Sequence, residues 1–266
     1  MTIKPFDWKI FVILLIAATF GLLAIIPYSL ALQAGVLKQT QLSMPLPVLV
    51  TIQIVAQVSI FGMIIAIGLF FANRTGLEIP ILEAYFKGEP IRVKIRSILP
   101  ISGILGIVAS LLIALLDVYL FQPALKVELG DKASVLLNSG AATPAAWKGF
   151  LASFYGSIDE EILLRLCLMS FFVWCGRFLS KKRSKGKQSA TVFWIANIVT
   201  ALVFGLGHLP ATSMILPLTP LVIVRAIVLN GLAGVAFGYL YFTRGLESAM
   251  LSHFACDLVL HVVLVL

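Results

Sequence analysis

Charge is what this chain has least of. Of its 266 residues only 12% are Asp, Glu, Lys or Arg, against 60% hydrophobic, and the mean hydropathy is +1.05. That balance argues against a soluble module and for a polytopic membrane protein, because about 20 apolar residues cross a bilayer and several runs exceed that length. Cysteine is equally scarce. Cys167, Cys175 and Cys256 fall inside apolar segments without paired spacing, which excludes a disulfide framework and makes them small hydrophobes. There is no phosphate-binding glycine loop, low-complexity tract or internal repeat, which argues against nucleotide-driven transport. A cleavable signal peptide is also missing, since Lys4 and Lys9 lead into an apolar run too long for one; the run reads as an uncleaved first span.

Hydropathy between charged or Pro/Gly-rich breaks predicts an all-α transmembrane bundle of seven spans, near 10–32, 46–72, 98–121, 149–176, 190–208, 220–242 and 248–266. The net charge of +8 is concentrated in two connections. Residues 73–97 carry Arg74, Lys87, Arg92, Lys94 and Arg96, and the segment after the fourth span carries Arg177, Lys181, Lys182, Arg183, Lys185 and Lys187. The positive-inside bias places both in the cytoplasm, with the N-terminus inside, and accounts for the basic excess without nucleic acid. Residues 78–96 mix apolar and charged positions, the pattern of a short interfacial helix at anionic headgroups. Gly234 and Gly238, four apart in the sixth span, read as a close helix-packing site.

Ionisable residues inside spans are expensive and therefore point to function. They are Asp117, Asp159, Glu160, Glu161, Arg165, His208, Arg225, His253, Asp257 and His261. Glu161 and Arg165 lie at i and i+4 with the acid N-terminal, the order in which they neutralise each other. Glu160 is rotated by about 100° on an α-helix and has no obvious cationic partner on its own helix, which suits a group that takes and gives a proton. His253 and Asp257 also share a face at i and i+4, where a carboxylate orients an imidazole. His208 precedes Pro210, and His261, near the C-terminus, reads as structural. Together these residues point to water activation. Glu160 takes the proton of a water held by His208, while His253 and Asp257 face the developing oxyanion. The same donors, Glu160, His208, His253 and Asp257, equally suit a divalent metal such as Zn2+ with one open position. The spacing does not choose between the two.

In this order, Glu160-Glu161 with Arg165, Phe204 with His208, and His253 with Asp257 resemble the three motifs of the CAAX protease and bacteriocin-processing (CPBP, or Abi) family of intramembrane proteases. The resemblance covers residues 146–266. It implies an intramembrane endopeptidase acting on a membrane-associated protein or peptide, prenylated CAAX proteins among them, by a glutamate- or metal-dependent hydrolysis. It also implies that Glu160 is the water-activating base, Glu161 and Arg165 its supporting pair, His208 a water or metal contact, and His253 with Asp257 the remaining site contacts. Leu166 stands where many members have glycine, and Asp257 where the prenyl-processing branch has asparagine.

The expected organisation is thus an N-terminal part, 1–145, of membrane helices and the interfacial segment, and a protease-like core, 146–266, whose last four spans enclose the polar cavity. The expected location is the plasma membrane of a prokaryote, with lipid and a peptide substrate as partners and no nucleic acid. Two rivals share these residues: a proton-coupled transporter, and a non-catalytic immunity or scaffold protein of the same fold. One geometric tension accompanies the reading. At about 1.5 Å per residue, Glu160 and His208 lie roughly 25 Å from the cytoplasmic helix ends and His253 about 10 Å from Glu247. Tilt, a re-entrant seventh span or a shifted boundary near 243–248 is needed for them to meet.

Overall fold

The computed structural model describes residues 6–130, 132, 136, 144–179 and 189–266. The basic cluster Lys181, Lys182, Arg183, Lys185 and Lys187, together with Lys4 and Asp131, lies outside the described residues. Among those described there is helix and no strand. Six helices are long and apolar enough to cross a membrane: α1 (Trp8–Leu32), α2 (Leu46–Thr75), α3 (Ile91–Leu129), α5 (Ala190–Ser213), α6 (Pro220–Arg244) and α7 (Leu246–Val265). Between α3 and α5 runs α4, helical without a break over 146–179 and carrying the Asp159–Arg165 charges, which gives seven long helical segments among the described residues.

These helices follow from their sequences, and so do their packing faces. Asp7 caps α1 by accepting from the Lys9 and Ile10 amides. Ile10, Leu14, Ala18 and Leu22, spaced by four, form its buried stripe, and Phe61, Ile65, Leu69 and Ala72 form that of α2. Both stripes meet Ile162, Leu166, Met169 and Val173 of α4, while Ile16, Phe20, Ile52, Val55, Met63 and Ile67 face outward towards lipid. Because lipid tails are as apolar as Leu, association rests on close packing and on polar bonds between helices. Gly68 of α2 illustrates the first: a Cβ there would lie 2.8 Å from Leu166 Cγ and 3.1 Å from the Leu166 carbonyl. The leucine at 166 is therefore accommodated by a glycine on the facing helix. Polar bonds include Ser102–Ser248 at 2.7 Å, Ser170–Tyr241 at 2.8 Å and Asn197 Nδ2 donating to Val235 O at 3.0 Å.

α3 is longer than its hydropathy predicts, and Asp117 within it pairs with Arg225 of α6. Arg225 donates to Asp117 in bidentate fashion at 2.6 and 2.9 Å, and Gln122 adds a third bond at 3.1 Å. The backbone at Asp117–Phe121 widens into a π-turn. The interfacial helix is shorter than expected, Pro80–Phe86, since residues from Ile91 onward belong to α3.

The junction of α6 and α7 resolves the depth problem. Gly245, at φ 95°, turns the chain within one residue, a conformation that glycine adopts without penalty. Leu246 N donates to Glu78 O, and Glu247 Oε1 accepts from the amides of Ile81 and Leu82 at 2.9 and 3.0 Å, so Pro80–Phe86 covers the turn. On the other side of the turn Tyr241 bonds Ser170 of α4, and His253, eight residues past Gly245, lies 3.8 Å from Glu160.

Candidate active site

The site is set by the backbone of α4, which leaves α-geometry where the charges are. Gly156–Glu160 and Ile162–Met169 are π-helical, a wider coil that recurs at functional sites. Gly156 lets α7 approach. A Cβ at this position would touch Asp257 Oδ2 and come within 3.1 Å of His253 Nε2.

Around His253 the polar groups are densely connected. Its Nδ1 lies 2.8 Å from Glu161 Oε1, an N–H donated to a fully buried carboxylate, which leaves Nε2 free. Nε2 faces two further carboxylates, Glu160 Oε2 at 3.8 Å and Asp257 Oδ1 at 3.6 Å. These separations exceed direct hydrogen bonds and lie in the range of ion pairs. Phe237 stacks on the imidazole at 4.5 Å and Phe204 meets it edge-on at 5.6 Å. Glu161 is held from the other side by Arg165, an ion pair of 3.2 Å without hydrogen-bond alignment. Arg165 is fully buried, donates to Gly234 O at 2.8 Å and lies near the rings of Phe204 and Phe237. Removing any member leaves a buried charge unpaired.

His208 reaches the site from the end of α5. Its Nδ1 bonds Phe204 O at 2.9 Å and its ring stands perpendicular to Phe204, so the two residues of that motif position each other. Glu160, His208, His253 and Asp257 all line one cavity of about 850 Å³. Glu161 and Arg165 stand behind it.

The sequence reading placed this cavity among spans four to seven, and the walls differ. Residues of α6 do not line it; Phe237 and Gly234 support it from behind. Instead α1 and α2 close it, with Tyr28 and Ser29 from the first, Gln33 just past its end, and Gln53 and Gln57 from the second. Tyr155 of α4 also faces it, and His261 is part of the wall, edge-on to Tyr28 at 5.8 Å. Hydropathy alone ranks none of these neutral polar residues above an ordinary span residue. The one available signal was periodicity: Gln53 and Gln57 are a turn apart, as are His253, Asp257 and His261. Asp159 points elsewhere. It is fully buried, its oxygens lack a hydrogen-bond partner among the described residues, and it rests against Gly21 of α1.

Among the described residues no three His, Cys, Asp or Glu side chains are disposed to hold an ion. The Nδ1 atoms of both histidines are engaged, by Glu161 and by the Phe204 carbonyl, which leaves the Nε2 of each for any other partner.

No curated protein and no solved structure matches the chain. Residues 142–259 match the family model described as type II CAAX prenyl endopeptidase Rce1-like. This stretch holds every residue of the three motifs, from Glu160 to Asp257, and through it the second half of the chain is similar to the Rce1-like CAAX proteases.

Proposed function

We propose that the protein is an intramembrane endopeptidase in which Glu160 activates water against a peptide bond of a membrane-associated protein or peptide. Prenylated CAAX-type proteins are the first substrates to try. The observation that carries the reading is the shared cavity: Glu160, His208, His253 and Asp257 meet there from three helices, with Glu160 Oε2 3.8 Å from His253 Nε2.

In this scheme Glu160 takes a proton from the water as its oxygen attacks the carbonyl carbon, and later passes that proton to the leaving amine as the C–N bond breaks. Glu161 fixes the imidazole of His253 through Nδ1, and Arg165 fixes Glu161. In its imidazolium form His253 donates on both sides, to Glu161 and to the oxyanion. His208, held by Phe204, presents its Nε2 to the cavity and positions the water, and Asp257 orders the other flank of His253. The protease core is 146–266, the N-terminal helices supply cavity walls, and the N-terminus faces the cytoplasm of a prokaryotic cell.

Glu160→Gln tests the scheme. Cleavage of an internally quenched, farnesylated peptide in proteoliposomes is expected to fall by about 10²–10⁴, the contribution of a general base, with thermal unfolding unchanged. A fully active Gln variant removes Glu160 from the chemistry.

A further inference from the structure

Helix α2 presents one continuous stripe to the cavity: Leu46, Leu49, Val50, Gln53, Ile54 and Gln57. Four of these six are aliphatic. The two amides lie roughly 10 and 16 Å into the span at about 1.5 Å per residue, where lipid offers them nothing to bond. Among the described residues neither amide has a hydrogen-bond partner, and both line the cavity that holds Glu160. The helix needs neither for packing, since its buried stripe lies further along, at Phe61–Ala72.

We propose that Gln53 and Gln57 bind the main chain of the substrate, holding it extended beside Glu160. The spacing fits. Residues four apart on a helix are separated by about 6 Å, and like-facing groups two residues apart on an extended peptide by about 6.7 Å. A carboxamide both donates and accepts, so each side chain satisfies one backbone N–H and one C=O. Binding through the main chain is indifferent to side chains, as in strand-addition modes of peptide recognition. The ligand class is therefore an extended peptide segment of varied sequence, carried on a lipid or membrane anchor. Ser29 of α1 and Gln33 just past its end extend the same polar lining. This rests on the endopeptidase reading for the identity of the occupant, and names the residues that position it.

The test uses the full-length Glu160→Gln protein in nanodiscs and a hexadecyl-anchored, randomised hexapeptide library. A second library carries N-methyl groups on alternate amides. Retention of the unmethylated library is expected to be at least tenfold tighter. Adding Gln53→Leu and Gln57→Leu is expected to abolish that preference, and the near-isosteric Gln57→Met to weaken it alone. A leucine double variant that keeps the tenfold preference overturns the proposal, as does a library that is not retained at all. Gln-dependent retention, with the library left uncleaved by the unsubstituted protein, overturns the endopeptidase reading while the peptide site stands.

Discussion

Gly156→Ala is the sharpest probe of how the site is assembled, because one methyl group acts on two candidate residues at once. In the π-turn of α4 the new Cβ would collide with Asp257 Oδ2 and press on His253 Nε2 at 3.1 Å. Ordinary contact requires about 3.4 Å or more, so Asp257 must retreat by about 1 Å from its place beside His253, a misplacement that costs on the order of 10²-fold in rate at a site depending on near-attack geometry. Overpacking also costs stability, about 1–3 kcal/mol. The two effects separate in a double variant. Gly156→Ala with Asp257→Ser shortens the obstructing side chain, so stability is expected to recover while cleavage does not. The assay is the initial rate on the quenched farnesylated peptide, paired with thermal unfolding of the same preparations. Activity within threefold of the unsubstituted protein in Gly156→Ala would refute the argument that α4 and α7 touch here, and with it the role given to Asp257.

The buried relay behind the cavity makes its own prediction. Arg165→Met strands the Glu161 carboxylate and is expected to destabilise by about 3–5 kcal/mol, most of it recovered in Glu161→Gln/Arg165→Met, as read from denaturant unfolding. A single variant as stable as the double one would show that the charges do not interact. On the outer wall, Gly68→Ala is expected to cost about 1–3 kcal/mol through its clash with Leu166, and Leu166→Ala in combination with it to be less than additive. Strict additivity would mean the two residues do not touch. For the metal question, elemental analysis of purified protein is expected to give far less than one zinc per chain, with cleavage unaffected by chelators. Stoichiometric zinc that disappears in His208→Ala would instead make the four cavity donors ligands.

Much of the architecture is written in local periodicity, and so was readable. Seven apolar runs became seven helices, His253–Asp257 became adjacent because i and i+4 share a face of an α-helix, and Glu161–Arg165 stay within reach in the π-helical stretch of α4. What the sequence could not reveal are contacts whose partners are far apart in the chain. Glu161 and His253 lie on different helices, and nothing about either marks the other. Asp117 and Arg225 were both conspicuous as charges inside spans, yet their bidentate pairing is a property of how α3 crosses α6. Gln53 and Gln57 stood out less for a different reason: they carry no charge, although an amide left unsatisfied in lipid is also informative.

The depth argument shows where one-dimensional reasoning fails. Counting about 1.5 Å per residue holds for α-helical segments, whereas α4 is π-helical over Gly156–Glu160 and Ile162–Met169, so the count does not fix the depth of Glu160. Phe237 and His253 lie equally far on either side of Gly245 and stack on each other, as a tight helical hairpin requires. The hairpin tip is sealed by Pro80–Phe86, whose Ile81 and Leu82 amides bind Glu247. A short helix that hydropathy reads as lipid-facing therefore helps fix how deep the seventh helix sits. The depth of His253, and so its meeting with Glu160, depends on a segment outside the stretch that carries the motifs.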